Sequence, residues 1–217
     1  PPAQTLAITA ASDAFSQEVA QGAVAWATAH GMKVVYSNKY PDTATDVSSI
    51  ISALKQTNAD LVLNAGHVQD ALLVQKGLKE QNVLAKGYGY TVGPDTPDFV
   101  NSLGKDANDV FGAAQWSEAV KYHADRKGFL STAPEYAKAF AAVYHHAPDY
   151  HNAESTAACL AFQYALENAG SLDPEKVRDA LTKLDVTTFY GLLKFDSRGL
   201  NVYKPMVVNQ IQNGKLV

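Results

Sequence analysis

One rhythm, repeated four times in the first half of the chain, limits what it can fold into. Apolar or β-branched runs occupy Thr5–Ala10, Lys33–Tyr36, Leu61–Ala65 and Lys86–Tyr90. Each is followed by a polar switch and a helix-patterned stretch, beginning near Asp13, Thr45, Val68 and Pro97. Strands alternating with helices build βαβ units and a parallel sheet. The runs are too apolar for a sheet with one wet face, so they read as buried on both sides. In open sheets of this kind small molecules bind beyond the carboxyl ends of the strands. The residues just after each run are therefore the first place to look for function.

Local signals place the remaining elements. A helix capped by Asp13 runs to His30, with Val19, Ala23, Val24 and Ala27 at helical spacing and Gly31 as its stop. Thr45 or Asp46 caps a second helix over residues 46–54, and a third spans Val68–Gln81 with Leu72, Leu73 and Leu78 facing inward. Residues 109–116 read as a fifth strand, followed by an irregular segment around Tyr122 to Gly128. Three helices follow, over Pro134–His145, Ala153–Ala169 and Pro174–Leu184, with proline in the first turn of two of them. Phe189–Phe195 and Val202–Ile211 finish the chain as strands, with a turn at Ser197–Gly199 and a tight-turn pair at Asn213-Gly214. The three helices of the second half need a sheet to cover and few strands remain to supply one. Either they pack on the first sheet or their own sheet lies outside the chain.

Composition bounds the partners. With 217 residues, 47% of them hydrophobic, there is material for one large domain or two small lobes. Eighteen basic residues against 22 acidic ones give a net charge of −4, without the electrostatic footprint of nucleic-acid binding. No basic run marks a membrane surface, and no apolar stretch approaches the roughly 20 residues that cross a bilayer. The lone cysteine, Cys159, excludes an intrachain disulfide and sits in an apolar stretch, where it reads as a small core residue.

Several segments resemble a known family in their order and spacing. They are Ser12-Asp13-Ala14-Phe15-Ser16-Gln17-Glu18, the stretch from Tyr40 through Pro41 and Asp46 to Ser48, Asn58-Ala59-Asp60-Leu61-Val62, and Ala65-Gly66-His67. Gln115-Trp116, Asp149-Tyr150-His151-Asn152-Ala153 and Phe189-Tyr190-Gly191 through Asp196 complete the set. Together they resemble the type I periplasmic binding proteins of ABC transporters, in the branch of the leucine/isoleucine/valine-binding proteins. The resemblance implies an α/β fold with a parallel flavodoxin-like sheet flanked by helices, plus helices belonging to a second lobe. It implies that residues 1–113 form the second lobe, that 114–188 cross a hinge and return into the first lobe, and that 189–217 come back as terminal strands. It also carries the expectation that the chain is a C-terminal part, with most of the first lobe in a missing N-terminal segment or supplied by a second chain.

The same resemblance turns strand-end residues into ligand candidates. Phe15 sits where the family's turn faces the ligand cleft; the plainer alternative is an N-capping Asp13 with Phe15 packing beside it. His67 stands where relatives often carry an aromatic ring, and its nitrogens suit a ligand carboxylate; a solvent-facing turn residue is the alternative. Tyr90 and Thr91 end the fourth strand in a glycine-containing run that lacks dinucleotide spacing. Thr91 stands where amino-acid-binding relatives place a glutamate for the ligand ammonium. A hydroxyl cannot neutralise that charge, so an aromatic or aliphatic carboxylate competes with an amino acid as ligand. Trp116 walls the cleft or packs the lobe junction, and Tyr150 and His151 approach from the other lobe, with Asn152 as a helix cap.

No catalytic residue, cofactor or metal ligand is assigned. His145, His146 and His151 with Asp149 match no common zinc spacing, and no nucleophile elbow, P-loop or His-Glu-x-x-His motif is present. The resemblance implies a non-enzymatic, periplasmic or extracytoplasmic solute-binding protein of an ABC importer, whose partners are a small ligand and a membrane permease. A sensory ligand-binding domain of the same fold and a hydrolase built on His67 and Asp13 are the alternatives.

Overall fold

The computed structural model describes residues 2–126 and 130–217. The chain divides into two compact units, one formed by Pro1–Ala114 with Val208–Val217 and the other by Gln115–Val207.

The first unit is a seven-stranded sheet with helices. Its strands are β1 (Thr5–Ala11), β2 (Lys33–Tyr40), β3 (Leu61–Ala65), β4 (Gly87–Tyr90), β5 (Val110–Ala114), β8 (Val207–Gln212) and β9 (Lys215–Leu216), in the order β2-β1-β3-β4-β5-β8-β9. The first five pair in parallel, and β8 and β9 form an antiparallel pair at one edge. The helices are α1 (Ala14–Ala29), α2 (Ser48–Thr57), α3 (Val68–Glu80) and α4 (Pro97–Leu103). Alternation within β1 decides what each face meets. Ala7 and Ala11 join Ile51, Leu54, Val74, Leu78 and Phe99 in one fully enclosed core beneath α2, α3 and α4. Ile8 points the other way, toward Val19 and Ala23 of α1. Each large side chain buried in that core contributes about 1.5–3 kcal/mol.

The ends of the elements follow local chemistry. The Asp13 carboxylate caps α1 by accepting from the Ser16 amide at 3.0 Å. At the other end the Met32 amide donates to the Ala27 carbonyl and the Gly31 amide to that of Thr28, with Gly31 at φ +80°. This pairing closes a helix through a left-handed residue. Helix α2 starts two residues later than Asp46, yet Asp46 still accepts from the Ser48 amide at 2.8 Å. Strand β2 runs four residues past Tyr36, because at a sheet edge its polar residues Ser37, Asn38 and Lys39 remain exposed. The expectation of strands buried on both sides thus fits β1 and β4 but not this edge strand.

At the amino edge of the sheet Asp60 joins three strands. Its carboxylate accepts from the Gln4 and Thr5 amides at 2.7 and 3.2 Å and pairs with Lys86 at 2.7 Å. Its own amide donates to the Thr5 hydroxyl.

The second unit contains α5 (Ala133–Tyr144), α6 (Tyr150–Ala169), α7 (Pro174–Leu181) and an antiparallel hairpin, β6 (Asp185–Thr188) with β7 (Gly191–Lys194). The run from Phe189 to Phe195 is therefore not one strand. Phe189 and Tyr190 form the two-residue turn, with the Thr188 hydroxyl donating to the Gly191 carbonyl. Helix α6 starts at Tyr150 because Asp149 and Asn152 exchange side-chain-to-amide bonds at its entry, so Asn152 is the cap's partner within the first turn. Buried Ala153, Ala157, Ala161 and Ala165 line one face of α6, and Phe189 stacks on Tyr136 with ring centroids 4.1 Å apart. The helices thus find cover within the unit, from the hairpin and from one another. Cys159 falls on the opposite face and is exposed, which corrects its reading as a core residue. The final strand begins at Val207, five residues later than Val202, after an irregular stretch containing Pro205. The segment expected to be irregular has no helix or strand from Tyr122 to Arg126; Lys127 and Gly128 lie outside the described residues.

The Lys86 ammonium, then the Gln4 and Thr5 amides, hold the Asp60 carboxyl down to about 2 from an ordinary 3.8. A depressed native value contributes stability that is present above the ordinary value and lost as pH falls through the native one. Asp60→Asn should therefore lower the melting temperature at pH 7, and its gap from the parent chain should close between pH 3.8 and about 2. A gap of constant size across that range would disprove the assignment.

Candidate functional site

The strand order reverses between β1 and β3: the chain leaves β1 toward one edge and β3 toward the other. At such a switch point the connections diverge and leave a crevice at the carboxyl ends of the two strands. Asp13 and Phe15 follow β1, and His67 follows β3, so the sequence brings these three side chains to one rim.

Their contacts bear this out. The His67 ring lies 5.4 Å from the Phe15 ring, inclined at 32°, and its Nε2 is 3.6 Å from Asp13 Oδ1. Phe15 is 44% exposed and the His67 side chain 59%, so both rings present surface to solvent. Bonds from the Ser16 hydroxyl, and then from its amide, hold the Asp13 carboxyl below the ordinary carboxylate range; nearby His67 acts in the same direction. Asp13 is thus a fixed anion beside the two rings.

The backbone under His67 is built to hold it there. The Asp70 carboxylate, in the first turn of α3, accepts from the His67 amide at 2.9 Å. Gly66 makes room for that arrangement, since a Cβ added to it would sit 2.7 Å from Asp70 Cβ. Thr91 fastens the turn from the β4 side: its hydroxyl accepts from the Gly66 amide at 3.0 Å and donates to the Gly66 carbonyl at 2.8 Å. Below lies a polar layer within the core, where Asn64 donates to the Tyr40 hydroxyl at 2.8 Å. Burial, as the leading cause, pushes the Tyr40 phenol up. The Ser12 hydroxyl accepts from the Asp42 amide at 3.1 Å, tying the ends of β1 and β2.

The other candidates are placed elsewhere. Tyr90 is 5% exposed; its ring packs on Phe99 and its hydroxyl donates to Gln75 at 2.7 Å, so it stands in the core. Trp116 belongs to the second unit, 3% exposed and edge-on to Tyr136 and Phe189. His151 lies in the first turn of α6, stacked on Tyr150 with centroids 4.0 Å apart and 3.7 Å from Asp149. The sequence offered Asp13 as a helix cap and, in the alternative hydrolase, as a partner of His67; its place as an anion beside both rings is the addition. Its signal was there: an acidic residue two positions past a buried strand, at the carboxyl end. Among the described residues no group of three His, Cys, Asp or Glu side chains is placed to hold a metal ion.

Taken together, the reversal in strand order and a rim of solvent-facing side chains at the strand ends define a class: an α/β protein with a doubly wound parallel sheet, open to solvent at its switch point. The chain belongs to the family described as "Periplasmic binding protein", whose sequence profile matches residues 2–215. That family works outside the cytoplasm, and membership places the chain there. Among curated proteins the chain is similar to a "Leu/Ile/Val-binding protein homolog 7" of Brucella suis, 28% identical over 198 residues, covering 86% of this chain and 47% of the relative. Among solved structures, a leucine binding protein from Thermotoga maritima superposes with a TM-score of 0.87 at 18% identity, over 99% of this chain and 59% of the other. An extracellular ligand-binding receptor from Rhodopseudomonas palustris gives 0.85 at 20% identity, over 99% and 63%. At those identities the structures establish the fold alone.

The expectation of a C-terminal part awaiting a missing N-terminal lobe or a second chain is corrected by these matches. The family profile is met from residue 2 to residue 215, and the fold matches run over 99% of the chain. The helices of the second half also have the cover described above. As a matter of length, the chain spans about half of the curated relatives it matches.

The turn beneath His67 can be tested directly. Thr91→Val removes both bonds to Gly66 and should cost about 1–2 kcal/mol in urea unfolding. In hydrogen exchange the Gly66 amide should lose protection well beyond the global change. Unchanged protection of Gly66 would show that Thr91 does not hold this turn.

Proposed function

We propose that this chain captures a small carboxylate-bearing solute outside the cytoplasm, for delivery to an ABC permease, and that the rim at β1 and β3 is its recognition surface. The observation that carries this reading is the convergence of Phe15, His67 and Asp13 at the strand-order reversal. The two rings offer an apolar body a flat surface. An imidazole N–H suits a carboxylate, and the fixed anion of Asp13 suits an ammonium or hydroxyl beside it. Thr91 is a further proposed determinant, acting mainly through the Gly66 turn. The curated relatives named for leucine, isoleucine and valine support an amino acid. The threonine at position 91 supports a carboxylate without an ammonium group. Asp13 is what allows both to remain candidates.

Catalysis finds little support in the same residues. The hydroxyl bonded to Asp13, that of Ser16, is fully buried and donates to the carboxylate at 2.5 Å, so a substrate does not reach it.

A thermal-shift screen against hydrophobic amino acids and against aromatic and aliphatic acids tests the proposal, because a ligand of the native state raises the melting temperature by mass action. One class should give a saturable rise without turnover. His67→Ala and Phe15→Ala should each weaken that ligand about tenfold or more, a loss of about 1.4 kcal/mol or more, while leaving the unliganded melting temperature nearly unchanged. Binding of normal strength in both variants would move the site away from this rim.

A further inference from the structure

The two faces of the first unit's sheet are not covered alike. Helices α2, α3 and α4 close one face, where Tyr88 and Tyr90 of β4 join the core. On the other face α1 packs over β1, β2 and β3. Beyond it β4 shows only Gly87 and Gly89, because successive side chains of a strand alternate between faces. Leu63 of β3 leans across this strip, so that a Cβ on Gly89 would sit 2.5 Å from Leu63 Cδ2. Phe111 of β5 flanks it on the far side, its Cε2 3.5 Å from a Cβ placed on Gly87. Gly89 thereby floors a trough of about 230 Å³, walled by Leu63, Phe111, Val19 and Ala23 of α1, and Val208 of β8.

The trough is within reach of a solute. Phe111 is 37% exposed and Val208 72%, and Val19, Ala23 and Leu63 are each partly exposed. Its chemistry is one-sided. Among the described residues no charged side chain lines it. The polar residues on its border turn their groups elsewhere: Asn64 to Tyr40, Tyr90 to Gln75 and Thr91 to Gly66. Whatever lies here is held by apolar area.

Two connections join the trough to the rim at β1 and β3. Phe15, Val19 and Ala23 recur every four residues along one flank of α1, so the ring at the rim and the wall of the trough form one apolar stripe. Ala65 and Thr91 border the trough as well; the first leads directly into Gly66-His67 and the second fastens that turn. From Phe15 to Ala23 the stripe runs about 12 Å, farther than a valine-sized side chain reaches. An apolar cavity of about 150 Å³ admits a benzene ring, so the trough has room for a ring and a few methylenes.

We propose that the solute held by its carboxylate at His67 lays an apolar tail in this trough, and that the preferred ligand is an arylalkanoate, its ring set off from the carboxylate by several methylenes. This rests on the rim being the capture site, and it makes Val19, Ala23, Leu63 and Gly89 the residues that select for length.

Calorimetry on the full chain with phenylacetate, 3-phenylpropanoate and 4-phenylbutanoate tests the proposal. Each added methylene should tighten binding about fourfold, so that 4-phenylbutanoate binds about tenfold or more tightly than phenylacetate. Gly89→Ala drives Leu63 into the trough and Ala23→Leu fills it from the helix; each should erase most of that advantage. Ala23→Leu, on the partly exposed flank of a helix, carries the test if Gly89→Ala does not fold. His67→Ala should weaken all three acids alike, by about tenfold. Equal affinity for the three acids, or a length advantage that survives both trough variants, overturns the proposal and leaves the rim standing as the capture site. A length advantage erased by the trough variants, in acids whose binding ignores His67→Ala, overturns the rim instead. No binding of any of the three at millimolar concentration overturns both.

Discussion

Parallel pairing of β1 with both β2 and β3 is the constraint on which the first unit rests. A strand with parallel neighbours on both sides must send its outgoing chain over one face of the sheet while its other neighbour's outgoing chain takes the opposite face. Helix α1 and helix α3 do this, and the space between their entries is where Asp13, Phe15 and His67 meet. The opposite edge of the sheet is closed by Asp60, whose carboxylate fixes the starts of β1 and β4 together. One end of the sheet is thereby tied shut by charge and hydrogen bonds, and the other is left open to solvent.

Much of this was legible in the residues. Strand–helix alternation, capping by Asp13 and the stop at Gly31 follow from local rules that tertiary context did not override. The Asn213-Gly214 turn, with both residues at positive φ, was equally plain. What failed was decided by tertiary context rather than by local signals. Phe189 and Tyr190 have the composition of a strand, yet they form a hairpin turn because the aromatic ring of Phe189 is needed in the core and Gly191 supplies the positive φ beyond it. Strand β2 was cut short because an edge position tolerates polar residues that a central one excludes. Of the proposed rim, Phe15 and His67 could be reached by counting from strand ends. The inward turn of Tyr90 could not, because side-chain direction in a four-residue strand depends on register with its neighbours. Nor could the role of Gly66, which is set by Asp70 one helical turn away.

The two units keep their cores by different means. The sheet unit buries branched aliphatic side chains between strands and helices. In the helical unit the alanines of α6 recur every four residues, so neighbouring elements approach closely, and the volume is filled instead by Trp116, Tyr136 and Phe189 packed ring on ring. Large flat groups leave polar atoms to account for, and the Trp116 indole nitrogen is buried with no hydrogen-bond partner among the described residues. The sheet unit has its own such atoms, Thr9 Oγ1 and Asn64 Oδ1, on paired residues of β1 and β3. A single internal water can satisfy groups placed this way, and these two lie in the layer beneath the rim formed by Asp13, Phe15 and His67.

The outward placement of Cys159 on α6 has a practical side. The chain contains one thiol, and that thiol is solvent-accessible. A maleimide fluorophore or nitroxide label therefore attaches at a single defined point of the helical unit, with no competing sulfur to mask. Spectroscopic distances measured from that point to a tag on the sheet unit would report the spacing of the two bodies in solution as solute is added.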